Sequence, residues 1–192
     1  MGDRLYHHGN LRNSLIENGI QIVNEEGEKN CSLRKAAARC GVSHAAPYTY
    51  FRNKEELISS MKEYVIRYFI SSLKESVKDT ENQERRICSL GRAYVEFFIE
   101  NPNYFYFLFG SNSCYTGLTG NPALNASYRL FESTLATFSE TGGLPLVERK
   151  KNMAMWAMVH GIAAMAVMGA VAFEDDWGKM AEDILKGIKL RL

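Results

Sequence analysis

The stretch that most constrains the fold runs from Ser32 to Lys54, SLRKAAARCGVSHAAPYTYFRNK. Leu33, Ala36 and Ala37 recur at helical spacing behind Ser32, whose hydroxyl can cap a helix start. Gly41 supplies the left-handed conformation of a tight turn, and Gly41-Val42-Ser43 leads into a second short helix over about His44–Phe51. Ser43 is the expected cap of that second helix, and Pro47 still falls within its first turn, where a missing N–H costs little. From residue 29 to residue 54 there are six basic side chains, Lys29, Arg34, Lys35, Arg39, Arg52 and Lys54, and no Asp or Glu. The whole chain carries a net charge of only +1. Positive charge is therefore concentrated at a helix-turn-helix pattern, an arrangement suited to gripping DNA phosphates and presenting one helix to the major groove.

Helical periodicity runs through the rest of the chain, and no strand pattern stands out. Asn10–Glu25 reads as an amphipathic helix with Leu11, Leu15, Gly19, Ile22 and Val23 on one face, stopped at Gly27. Asn53 and Glu56 have capping-box spacing, opening a helix that extends to about Lys78. Further helices are expected over Ile87–Glu100, Pro122–Glu140 and Leu146–Phe173, and behind Asp176 to about Leu190. Pro102–Gly110 is dense in aromatics, and Ser111–Asn121 has loop composition. The expected fold is all-α, in two domains: a DNA-binding helix-turn-helix domain over residues 1–55 and a helical domain over residues 56–192.

Several function classes recede on the same residues. Ala154–Phe173 is twenty residues long without a formal charge, enough to span a bilayer. Seven of those residues are Ala, two are Gly, and His160 sits near the middle, which suits the centre of a helical protein or a dimer interface better than lipid. The cysteines, at 31, 40, 88 and 114, form no C-x-x-C pair and no zinc-ligand cluster. With no apolar signal stretch at the start, they read as reduced thiols of a cytoplasmic protein, with Cys31 and Cys40 as the places where oxidation could act. No metalloprotease, nucleophile-elbow or phosphate-loop motif is present, and no cofactor or metal is expected, so an enzyme is disfavoured.

Aromatics and methionines crowd the second half. Tyr94, Phe98, Tyr104, Phe107, Tyr128, Trp156 and His160 are the candidate lining of an apolar effector pocket, with Tyr128 and His160 as its polar groups. Ala157, Gly161, Ala164, Met168 and Ala172 form a small-residue ridge at helical spacing, the expected dimer interface. A monomer that buries the same ridge internally is the competing reading.

Residues 9–58 resemble the DNA-binding domain of TetR-type (tetracycline-repressor-like) transcriptional regulators. The resemblance rests on Ile22, Ser32-Leu33-Arg34, Ala36-Ala37, Gly41-Val42-Ser43, Tyr48, Tyr50-Phe51, Asn53-Lys54 and Leu57. Trp156 with His160-Gly161 is similar to the Trp-His-Gly signature of one subgroup of that family. The resemblance implies a homodimeric all-α regulator, most simply a repressor, that binds a palindromic double-stranded DNA operator and is released by a small apolar or aromatic effector. It also implies that the helical domain over residues 56–192 is the ligand-binding and dimerisation domain. The alternative is a DNA-binding dimer controlled by a protein partner or by thiol oxidation. Within the motif, His44, Ala45, Ala46 and Pro47 are expected toward base edges. Ser43, Tyr48 and Lys54 carry donors for phosphate, and Arg34 and Lys35 add backbone charge. Arg4, His7, His8 and Arg12 would form an arm with further phosphate contacts, and Tyr50-Phe51 would be core between the motif helices.

Overall fold

The computed structural model describes residues 11–80, 82–110, 129, 133, 146–170, 172 and 176–187. Seven α-helices lie among them: α1 Leu11–Glu26, α2 Leu33–Cys40, α3 Lys54–Glu75, α4 Gln83–Glu100, α5 Pro102–Phe109, α6 Leu146–Met168 and α7 Trp177–Gly187. The described residues contain no strand. Of the helix expected over Pro122–Glu140 only Arg129 and Ser133 are described, and both are helical; Cys114 and Tyr128 lie outside the described residues.

Local chemistry sets the helix ends. The Ser32 hydroxyl accepts from the Lys35 amide at 3.2 Å, and Gly41 closes α2 with φ 68°, its amide bonding Ala38 while the Val42 amide reaches Ala37. At α3 the Asn53 carboxamide accepts from the Glu56 amide at 2.8 Å. The Glu56 carboxylate reaches back one residue further than a standard capping box, to the Arg52 amide at 2.7 Å. Asn82 caps α4 through the Arg85 amide, and Asp176 caps α7 through the Lys179 amide. The helix expected to continue to Phe173 stops at Met168, because Gly169 takes φ 62° and the Ala170 amide turns back to Met165. Ala172 is thereby removed from the helical ridge.

Contacts divide the chain into two compact units, and the border falls inside α3, between Val65 and Ile66. The division expected near residue 55 lies at the start of that helix. In the first unit α1 packs on α2 around Leu15, Ile16, Ile20, Val23, Ala36 and Ala37, all fully buried. Gly19 lets Met61 approach: a Cβ there would lie 2.0 Å from the Met61 Cε. In the second unit α4 packs against both α6 and α7. Gly91 sits at the tightest point, where a Cβ would fall 2.2 Å from Leu185 Cδ1 and 3.3 Å from Val159 Cγ2. Arg92 joins α4 to α7, bonding Glu96 at 2.7 Å on its own helix, and Asp176, the α7 cap, at 3.1 Å and Glu182 at 3.3 Å on the other. No helix among the described residues is long and apolar enough to cross a membrane.

Candidate nucleic-acid interface and effector site

The second element of the motif is shorter than the sequence predicts. Residues 44–45 form a turn, and the helical part is one 3-10 turn, Ala46–Thr49. Its N-cap is Ala45 with no side-chain cap, so Ser43 does not cap through its hydroxyl; its carbonyl accepts from Ala46 instead. Pro47 fixes the start of this turn, and its carbonyl accepts from both Tyr50 and Phe51. The proline is buried, which corrects its expected place at base edges: it shapes the turn from inside. Ser43, His44, Ala45, Tyr48 and Thr49 are exposed and Ala46 half-buried, with Tyr48 at 53%. Thr49 has an exposed hydroxyl beside Tyr48 that the sequence reading overlooked. Phe51 is core as expected, whereas Tyr50 is exposed at 36%.

The basic field is smaller than a count along the sequence suggests. Lys35 pairs with Glu26, and Arg39 pairs with Glu25 and Glu26, so the end of α1 neutralises two cations of α2. Arg52 pairs with Glu56 at 3.1 Å. The Arg39 hydrogen bond holds the Glu25 carboxyl below its usual range, and the Arg52 bonds do the same for Glu56. All three acids lie outside the 29–54 window or across a turn from it, where a linear reading misses them. Arg34 is exposed at the first turn of α2. Lys54, at the start of α3, is half-buried, and its ammonium donates to the Lys29 carbonyl at 3.1 Å. Lys54 is the first residue of a long helix, whose N-terminus is a place that favours phosphate. Arg12 does not extend as an arm: its guanidinium lies 5.5 Å from the Phe51 ring centre and bonds the Ser60 hydroxyl at 3.3 Å. Arg4, His7 and His8 lie outside the described residues.

A second constellation lies wholly in the other unit. The Tyr94 hydroxyl and the His160 Nδ1 are 2.8 Å apart. His160 is stacked between two rings, Trp156 at 5.6 Å and 10° and Phe105 at 5.8 Å and 25°. Phe98 closes the circuit, 5.3 Å from Tyr94 and 5.4 Å from Phe105, and Phe69 of α3 packs edge-on against Tyr94 at 5.1 Å. Burial lowers the His160 pKa, so the imidazole stays neutral near pH 7. Helical spacing puts Trp156 and His160 one turn apart on α6, which lets the rings stack. The group is aromatic and uncharged, suited to enclosing an apolar body with few polar fixings.

Of the expected lining, Tyr94, Phe98, Trp156 and His160 come together here. Tyr104 packs 6.2 Å from both Phe97 and Tyr68. Phe107 is fully buried in the unit that holds residues 106–110. Phe69 and Phe105 join the constellation unforeseen; ring clustering identifies them, and no motif does. On the ridge, Ala157 and Met168 are exposed, Gly161 and Ala164 half-buried, and a Cβ on Gly161 would meet nothing within 4 Å among the described residues. Met153 at 55%, Met165 at 37% and Met168 at 62% extend this apolar surface along α6.

The burial of Cys31 pushes its thiol up to about 11, and burial raises that of Cys40 as well, so little thiolate is present at either.

A short basic-flanked helix-turn-helix together with a helical unit that carries an aromatic cluster is the architecture of a DNA-binding regulator. A family model described as bacterial regulatory proteins, tetR family, matches residues 15–61, and one described as tetracyclin repressor-like, C-terminal domain, matches residues 87–188. The chain belongs to the TetR family of bacterial transcription regulators. It is similar to the HTH-type transcriptional regulator BetI of Yersinia pestis (strain Pestoides F), 35% identical over 81 residues, 40% of this chain and 41% of that protein. Its fold is similar to that of the fatty acid degradation regulator FadR from Bacillus halodurans, with TM-score 0.72 and 19% identity over 95% of this chain and 97% of that one. FadR from Bacillus subtilis in complex with stearoyl-CoA has TM-score 0.66 and 17% identity, covering 90% and 95%. The chain spans about two fifths of the length of the curated relatives it matches.

Proposed function

We propose that the protein is a cytoplasmic repressor that binds a palindromic operator as a homodimer and lets go when a small, largely apolar ligand enters the Tyr94–His160 region. The observation that carries this reading is the stacked, neutral group of Trp156, His160, Phe105 and Tyr94 within a TetR-family effector domain. Its rings supply apolar contact, and the Tyr94–His160 pair supplies polar fixing. Phe69 packs on Tyr94, and α3, which carries Phe69, begins at Lys54 of the DNA-binding motif. A ligand that displaces Tyr94 thus acts on the helix that bears a phosphate-binding charge.

On the DNA side, His44 reads a base edge, while Arg34, Ser43, Tyr48, Thr49 and Lys54 hold phosphates. The ridge of Ala157, Gly161, Ala164 and Met168 is the dimer seam, because an apolar surface of this extent on a single protomer asks for a cover. Control by thiol oxidation is the weaker reading, since burial disfavours the thiolate at Cys31 and Cys40. The test is operator binding by anisotropy across a set of single-base variants of the site. His44→Ala should cost about 1–3 kcal/mol and flatten preference at one base position. An equal loss on every sequence would remove His44 from the reading helix.

A further inference from the structure

Among the described residues, Asn152 is the one polar side chain in the buried set, with no exposed surface at all. Neither its amide oxygen nor its amide nitrogen has a hydrogen-bond partner. A carboxamide offers one acceptor oxygen and two N–H donors, and leaving them unmet in a dry interior destabilises the fold. A leucine, with the same branched arrangement of heavy atoms, would occupy the site without that cost. Asn152 stands four residues before Trp156 and eight before His160 on α6, so the three share one side of the helix. Along that side the polar groups are Asn152, His160 and, through its hydroxyl, Tyr94. The Asn152 carboxamide carries no charge, and burial lowers the His160 pKa and so favours its neutral form. A carboxylate or phosphate placed among them would be desolvated with no opposite charge supplied by these groups.

We infer that Asn152 determines effector specificity, and that the effector is an uncharged molecule whose apolar body ends in an adjacent donor and acceptor of the amide type. Its two hydrogen bonds close a ring with the Asn152 carboxamide while the body lies against the Trp156 and His160 rings. This rests on the reading of the Tyr94–His160 region as the effector site.

The experiment is calorimetric titration of the purified full-length protein with two amides, octanamide and benzamide, and their matched acids, octanoate and benzoate. The wild type takes at least one amide at least tenfold more tightly than its acid. Asn152→Leu, without ligand, melts about 2–4 °C above the wild type and binds that amide at least tenfold more weakly. A lower melting temperature for Asn152→Leu, an unchanged amide affinity, a preference for the acids, or no binding of either amide overturns the inference. The wild-type comparison of amide with acid stands without the variant. Binding of DNA by the same preparations separates the two readings: a wild type that holds DNA but fails these tests sinks the Asn152 assignment alone. A wild type that holds no DNA sinks the regulator reading with it.

Discussion

Replacing Gly161 by leucine separates packing inside the protomer from packing between protomers. Among the described residues of the protomer a Cβ at Gly161 meets nothing within 4 Å, so the larger side chain meets no described neighbour there. Glycine in a helix interior is about 1 kcal/mol less favourable than alanine, and leucine lies close to alanine. The isolated protomer should therefore gain about 0.5–1 kcal/mol. In a dimer joined along the α6 ridge the leucine occurs twice, once from each subunit, at a seam whose small residues allow close approach. Overpacking costs about 1–3 kcal/mol per site. The dimer then loses about 2–6 kcal/mol, or roughly 30-fold to 20,000-fold in dissociation constant. Gly91→Ala is the contrasting control: its Cβ collides with Leu185 Cδ1 at 2.2 Å inside the protomer. It should lower stability by about 1 kcal/mol net of the helix gain while leaving the seam alone. Sedimentation equilibrium over a concentration series reads dimer affinity, and urea unfolding under monomeric conditions reads the protomer. A Gly161→Leu protein that dimerises with wild-type affinity, or whose protomer is destabilised, refutes the assignment of this ridge.

Two further outcomes follow from the electrostatics. Lys54→Ala should weaken all DNA sequences alike and reduce the slope of log K against log salt by about 0.9, the value of one phosphate contact. An unchanged slope in titrations between 50 and 200 mM salt, on the order of the range where such slopes are read, would mean Lys54 touches no phosphate. His160 has a folded pKa lowered by burial, so below its unfolded pKa, about 6.5, the unfolded chain takes a proton that the native chain refuses. That contribution to stability is fully present above the unfolded pKa and is lost as pH falls toward the folded one. His160→Gln should flatten this part of the pH–stability curve, and a curve of unchanged slope between pH 7 and 5 would show that His160 titrates freely.

The parts of the molecule legible in the sequence are those written in local chemistry. Ser32, Gly41, Asn53 and Asp176 act on backbone groups three or four residues away, and each does in the structure what its type and position imply. The core of α1 and α2 follows the same logic, since a 3.6-residue period survives in Leu15, Gly19, Ile22 and Val23. What escaped is what depends on neighbours distant in sequence. The turn at His44–Ala45 and the 3-10 geometry of Ala46–Thr49 follow from Pro47 being buried, which its exposed-looking composition hides. The pairing of Lys35 and Arg39 with Glu25 and Glu26 crosses 9 to 14 residues and trims the basic field. The end of α6 at Met168, five residues before the expected one, shows a single left-handed glycine, Gly169, overruling an apolar run. The stack of Phe105, His160 and Trp156 joins α5 to α6, and aromatic counting points to such a group without naming its members. Asn152 was invisible because an asparagine beside Lys151 reads as surface until its burial is known.

The most direct measurement is selection of bound DNA from a random pool by the purified protein at near-physiological salt. A homodimeric, sequence-reading regulator recovers a two-fold symmetric site, with half-sites about one helical turn, or a multiple of it, apart. Recovery of no site, or of one lacking two-fold symmetry, by a folded preparation would contradict the account.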